Sequence, residues 1–470
     1  MNTALSDIAN VSAPAAIPFG YKSTVFFICL VGALGGLLFG LDQGFIANSL
    51  GTIKIVYQLN TDSAEHYSAI LATGGILGAL LSGIFARVLG RKRSLILAGL
   101  TFTVASLGSA CLPSLFLLNL ARFSLGFAVG IASFVAPLYL SETAPASIRG
   151  SMGTLFQLMI TIGIFLIALS NVYIAKTFTE PHIALHLMFL VIAVFAFFML
   201  AGSFLLPESP RWLMLKGHEN KARLALSKVL TSAEEISLEI NEIKRVIVEE
   251  QGSPIRFLMK GTFIKVLLIG VLLQMFQQLV GINVMIYYSP TIFGYAEIKG
   301  LIGMMAVPTV NMLFTIPAVF LVDKWGRKKL LIVGAIMMSL SMFAAGFAFH
   351  NIDQMAGVAV NATDKNMLLI AVIVYIFGFA FSWGPVAWLV CSEIFPLKGR
   401  EIGMTITTMV NWTFAGLLMR YSLSFMENYG RSTLFYIFSA LSIVAIIFVK
   451  FAVPETKQIR LEELEKKLKH

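Results

Sequence analysis

Continuous apolar runs of about 20 residues, each long enough to cross a bilayer as a helix, punctuate this chain. They lie at roughly 25–47, 66–86, 94–112, 115–138, 151–173, 184–206, 262–290, 299–322, 328–350, 367–392, 400–424 and 431–452. Membrane-spanning strands would alternate apolar and polar positions over about ten residues, and these runs do not alternate. The pattern predicts twelve helices, divided six and six by a polar stretch at 207–258. Within that stretch Ser232 precedes Glu235 by three residues, a capping-box signal. Ile236, Ile240, Ile243 and Ile247 then recur on one helix face. Leu461, Leu464 and Leu468 repeat the idea in the tail. The expected divisions are a tail at 1–24, a six-helix half at 25–206, linker helices at 207–258, a second half at 259–453 and a final helix at 454–470. The fold class is an all-α membrane protein with two pseudo-symmetric halves.

Composition agrees. Apolar residues make up 57% and charged residues 13% of the 470, against roughly 25% charged in a soluble domain. A water-soluble enzyme is excluded, because the polar surface cannot cover the particle. The net charge of +10 does not indicate nucleic acid, since the basic residues sit in short clusters between apolar runs. Arg87, Arg91, Lys92 and Arg93 follow the second run, Arg149 the fourth, Lys324, Arg327, Lys328 and Lys329 the eighth, and Lys398 and Arg400 the tenth. Positive residues favour the cytoplasm, so both termini are expected inside. Residues 1–24 lack a signal-peptide pattern, and the first run is expected to remain as an anchor. Cys29, Cys111 and Cys391 have neither disulfide nor metal spacing, and no cofactor or metal is expected.

The halves repeat each other. Gly90-Arg91-Lys92 returns as Gly326-Arg327-Lys328, Ser141-Glu142 as Ser392-Glu393, Arg149 as Arg400, and Pro207-Glu208-Ser209 as Pro454-Glu455-Thr456. Parallel repeats of this kind are the architecture of rocking transporters, which hold substrate near the midplane between the halves.

Ionisable residues inside spans each cost roughly 2.5–3.5 kcal/mol on the insertion scale and need a reason. Asp42 in the first run and Arg122 in the fourth are both expected about 10 Å below the outer surface at 1.5 Å per residue, a matching depth that permits a pair. A titratable acid partnered by an arginine suits proton coupling. The remaining polarity is amide and aromatic: Gln157, Gln277, Gln278, Asn283, Tyr287, Tyr288, Asn311, Trp383, Trp388, Asn411 and Trp412. Amides donate and accept, matching neutral hydroxyls, and indole faces stack on the apolar face of a ring. Glycines at 32, 36, 40 and 44, and at 126 and 130, predict close helix packing. Arg91, Glu142, Arg149, Arg327, Glu393 and Arg400 form a second constellation of opposed charges at helix ends on the inner face.

The phrases PLYLSETAPASIRG (137–150), PESPRWL (207–213), QQLVGINVMIYYSP (277–290), DKWGRK (323–328), SEIFPLKGR (392–400) and PETK (454–457) resemble the sugar porter family of the major facilitator superfamily. SEIFPLKGRE and GGLLFGLD are most similar to bacterial galactose–proton and arabinose–proton symporters. The resemblance implies sugar contacts at Gln157, Gln277, Gln278, Asn283, Asn311, Trp388 and Asn411, to which the aromatic argument adds Tyr287. It assigns Asp42 as proton acceptor with Arg122 as its partner, and a cytoplasmic gate of Arg91, Glu142, Arg149, Glu208, Arg211, Arg327, Glu393 and Arg400. Facilitative relatives carry asparagine at the Asp42 position, so the aspartate favours symport. Departures from the family pattern occur at Arg87, Ala380, Ala415 and Gln458.

The expected function is proton-coupled import of a monosaccharide such as galactose, glucose, arabinose or xylose by alternating access. The site is expected in a bacterial inner membrane, the lipid bilayer being the chain's solvent, with the monomer as working unit. An uncoupled sugar facilitator and a non-transporting sugar sensor are the alternatives. No phosphate-binding loop of the G-x-x-x-x-G-K-[ST] type occurs.

Overall fold

A computed structural model describes residues 23–112, 114–144, 149–230, 232–249, 261–354, 359–396 and 399–457. Among them, twelve helical segments are long and apolar enough to cross a membrane. The first half comprises α1 (Ser23–Tyr57), α2 (Thr61–Val88), α3 (Arg91–Ala110), α4 (Leu115–Thr143), α5 (Arg149–Thr177) and α6 (Pro181–Leu205). The linker carries α7 (Pro210–Leu215), α8 (Glu219–Ser227) and α9 (Ala233–Glu249). The second half runs through α10 (Gly261–Leu279), α11 (Ile282–Tyr295), α12 (Gly300–Trp325), α13 (Arg327–Gln354) and α14 (Ala362–Gly378), then α15 (Gly384–Ile394), α16 (Arg400–Tyr429) and α17 (Arg431–Ala452). Of the expected C-terminal helix at 454–470, residues 454–457 are non-helical and the rest lie outside the described residues, as does most of the N-terminal tail.

Within the first half α1 packs on α5, and α2 on α4. Glycine makes this possible. A Cβ on Gly40 would collide with the carbonyl oxygen of Ile160, and one on Gly126 with that of Leu71, so backbones touch where the glycine stripes lie. The halves meet where α2 packs on α16, α5 on α12 and α1 on α11. Large apolar side chains such as Phe116, Leu205 and Phe451 stay exposed on the outer surface, as a lipid solvent requires.

The linker helices share a small apolar cluster of Leu213, Ala222, Ala225, Leu226 and Ile240. Ser232 Oγ caps α9 by accepting from the Glu234 N–H at 3.1 Å, one position earlier than the capping box predicts. Hydrogen bonds from Lys244 on α9 and Arg223 on α8 hold the Glu219 carboxyl below the usual carboxylate range, tying the two helices at their polar edge.

The apolar pattern misjudges three spans. α1 continues to Tyr57 rather than ending near 47, because the Asn48-Ser49 pair and Lys54 lie among apolar residues and do not interrupt the turn of the helix. At 1.5 Å per residue α1 is about 50 Å long, so Asp42 sits near its middle and not within its last two turns. The seventh run is two helices, α10 and α11, broken at Val280–Gly281. Gly281 has φ +99°, a left-handed conformation that only glycine adopts cheaply. The tenth run is interrupted by a π-helical turn at Phe379–Trp383. Pro385 lacks an N–H and cannot continue the regular ladder, and the Gly384 N–H reaches the Phe379 carbonyl instead.

Candidate functional site

The two interruptions face each other and satisfy each other. Breaking a helix in a membrane frees backbone carbonyls that must find donors within the protein. Tyr375 on α14 donates its hydroxyl to the Val280 carbonyl at 2.9 Å. In return Gln277 on α10 donates its Nε2 to the carbonyls of Trp383 at 3.0 Å and Gly384 at 3.3 Å. Trp383 is itself pinned, its indole N–H donating to Leu331 O at 2.8 Å. Irregular backbone at membrane depth thus becomes a fixed platform for side-chain amides.

A continuous chain of amides crosses that platform. Gln43 on α1 donates to Asn283 Oδ1 at 2.7 Å, and Asn283 donates to Gln278 Oε1 at 2.6 Å. Gln278 donates to Asn411 Oδ1 at 3.2 Å. Asn411 on α16 donates to Gln277 Oε1 at 2.6 Å and Gln274 Oε1 at 2.7 Å. Of the residues singled out by sequence, Gln277, Gln278, Asn283 and Asn411 are brought into one network. Asn311 is buried on α12, while Gln157 on α5 and Trp388 on α15 are half-buried; these three sit on neighbouring helices and are not linked into the amide chain. Gln43 and Gln274 were missed, although both are amides inside apolar runs, the signal that found the others. Trp412 stacks on Phe39 of the opposite half with ring centroids 5.5 Å apart.

Beside this network lies a buried ion pair. Arg122 Nη1 on α4 is 2.5 Å from Asp42 Oδ1 on α1, and both side chains are 0% exposed. The Arg122 guanidinium also lies 5.7 Å from the Tyr67 ring centroid. The pair is incompletely satisfied: Asp42 Oδ2, Arg122 Nε and Tyr67 OH are buried without a hydrogen-bond partner among the described residues. Buried polar atoms without partners are uncommon and mark functional or hydrated positions.

The repeated motifs build the same charged cluster twice, on the linker face. In the first half Arg91 holds Glu142 with two bonds of 2.8 and 2.7 Å. Glu208 Oε1 accepts the backbone N–H groups of Arg91 and Lys92 at 2.9 and 3.0 Å, capping the positive N-terminus of α3. In the second half Arg327 holds Glu393 at 3.3 and 2.9 Å, and Glu455 caps α13 through Arg327 and Lys328 at 3.0 and 3.1 Å. Gly90 and Gly326, with φ +93° and +88°, permit the sharp entry that aims each N-terminus at its glutamate. Arg149 begins α5, Arg211 lies on α7, and Arg400 donates to Phe395 O at 3.3 Å. The Arg–Glu pairs therefore tie helices within each half, and the exposed Arg87–Glu401 contact at 3.4 Å joins the halves on this face.

The opposite face is closed more firmly. Glu65 on α2 is wholly buried and accepts the N–H groups of Leu423 and Ser424 on α16 at 2.5 and 3.0 Å, with a further bond from the Ser424 hydroxyl. Arg420 pairs with Asp62 at 2.6 Å and approaches Glu65 at 3.8 Å. Thr61 donates to Glu427 at 2.9 Å. Sequence reasoning missed this latch, because Asp62 and Glu65 fall in a loop-proximal turn where acids need no explanation.

Comparison with known proteins bears on the same architecture. The family model for "Sugar (and other) transporter" matches residues 28–468. The galactose-proton symporter of Escherichia coli (strain K12) is 38% identical over 452 residues, 95% of each chain. The arabinose-proton symporter of the same strain is 36% identical over 449 residues, covering 94% of this chain and 93% of the relative. A solved structure of the proton:xylose symporter XylE bound to 6-bromo-6-deoxy-D-glucose superposes with a TM-score of 0.80 at 31% identity, covering 95% of this chain and 99% of that one. The relatives are transporters and not enzymes, more than nine-tenths of their length is matched, and the twelve-span architecture is shared. This multi-pass membrane protein belongs to the sugar porter family of the major facilitator superfamily.

Proposed function

We propose that this protein imports a monosaccharide together with a proton, by alternating access, across a bacterial plasma membrane with both termini in the cytoplasm. The observation that carries the reading is the adjacency of a buried, incompletely bonded Asp42–Arg122 pair to a chain of amides that joins the halves. Amides at Gln157, Gln277, Gln278, Asn283, Asn311 and Asn411, with the rings of Tyr287 and Trp388, suit neutral hydroxyls and a sugar's apolar face. Converging charges, which an ionic substrate would need, are absent from that network among the described residues. A hexose or pentose is the substrate class, in keeping with relatives named for galactose, arabinose and xylose.

In the cycle, sugar enters from the face closed here by Glu65, and Asp42 takes a proton on the oxygen that Arg122 does not hold. Neutral Asp42 loosens Arg122, the halves rock, and sugar and proton leave on the linker face. The Arg91–Glu142–Glu208 and Arg327–Glu393 clusters, with Arg149, Arg211 and Arg400, form the cytoplasmic gate. Each proton supplies about 2.3 kcal/mol per 100 mV and about 1.4 kcal/mol per pH unit. At 100 mV and one unit, this supports about 500-fold accumulation.

Asp42→Asn tests the coupling in proteoliposomes. Uphill uptake is expected to vanish while sugar counterflow persists. A variant that still accumulates sugar against its gradient removes Asp42 from the coupling step, and sugar uptake without proton movement in the unaltered protein would make it an uncoupled facilitator.

A further inference from the structure

The hydrogen bond from Gln43 to Asn283 is the link by which the amide chain crosses from one half to the other. Gln43 follows Asp42 on α1, and a helix turns by about 100° per residue, so the two side chains leave it in different directions. Asp42 is held by Arg122 within its own half. Gln43 reaches into the other half, 2.7 Å from Asn283 Oδ1. Asn283 lies just past the Gly281 break, is 5% exposed, and spends its own donor on Gln278 at 2.6 Å. Both polar atoms of this buried amide are therefore engaged without a sugar.

An importer that couples two solutes must also return empty, with the closed face sealed over an unoccupied site. A buried amide oxygen left without a donor opposes that closure. We propose that Gln43 stands in for a sugar hydroxyl, satisfying Asn283 whenever the carrier is empty, and so is a positioning residue for the return step. A sugar hydroxyl, which donates as an amide N–H does, displaces the half-buried Gln43 side chain when substrate binds. This inference rests on the monosaccharide reading of the amide network.

The test separates the empty return from the loaded crossing. Net uptake into sugar-free proteoliposomes requires the empty return in every cycle, whereas exchange of labelled for unlabelled sugar, saturating on both sides, does not. The probe is D-galactose, D-glucose, D-xylose or L-arabinose, whichever the unaltered protein exchanges fastest. Gln43→Leu, similar in volume and without an amide, is expected to slow net uptake about tenfold while exchange changes less than about twofold. Gln43→Asn, one methylene shorter and equally polar, is expected to show the same split, because reach and not polarity is lost. A merely structural residue would lower both rates together. Equal loss of uptake and exchange in the variants, or loss of neither, overturns the inference. Failure of the underlying reading is distinct: the unaltered protein would then exchange none of the four sugars faster than protein-free vesicles.

Discussion

Glu65 offers a measure of how strongly the face opposite the linker is held shut. Glu65→Ala removes a carboxylate that accepts two backbone N–H groups at 2.5 and 3.0 Å and the Ser424 hydroxyl. Hydrogen bonds to a charged group contribute about 1.5–3 kcal/mol each, and a buried donor left unpaired costs about 1–3 kcal/mol. The open state exposes these groups to water, which recovers part of the loss, so about 2–4 kcal/mol against closure is a fair expectation. That is about a 30–900-fold rise in the ratio of open to closed molecules. Glu65→Gln keeps an acceptor of the same shape and loses the attraction of Arg420, 3.8 Å away, so its effect is smaller. Spin labels at the exposed positions His66 on α2 and Asn428 on α16, with Cys29, Cys111 and Cys391 replaced by serine, report the separation of the helix ends. The Ala variant should gain a long-distance population and the Gln variant less of it. If the Glu65→Ala distance distribution matches that of the parent, the latch contributes nothing and the reasoning fails.

Two further outcomes follow from the site. Gln278→Ala, by leaving Asn283 and Asn411 short of partners, should weaken sugar binding by about 1–3 kcal/mol; equilibrium binding with unchanged affinity for every transported sugar would place the site elsewhere. Gly281→Ala forces a β-carbon into a residue with φ +99° and to within 2.6 Å of the Phe438 ring. It should cost about 1–3 kcal/mol of stability, and an unshifted thermal unfolding midpoint of the purified protein would show that the break between α10 and α11 tolerates a side chain.

Where the helices lie was written in the chain, because lipid imposes a one-dimensional rule: a span must be apolar over its length, and basic residues gather between spans. The repeat and its charged motifs were equally plain, since Arg91 with Glu142 and Arg327 with Glu393 recur as phrases in both halves. Asp42 and Arg122 stood out because an ionisable group in an apolar run has no cheap explanation. The breaks at Gly281 and at Phe379–Trp383 were hidden, because an apolar run reads the same whether its ladder is regular or interrupted. Only the packed structure decided that Gln277 would serve freed carbonyls of the tenth span, that Gln43 would reach across to Asn283, and that Glu65 would bury itself against α16. Those choices depend on the rotation and approach of helices far apart in sequence, set by glycine contacts and by the need to satisfy every polar atom away from water.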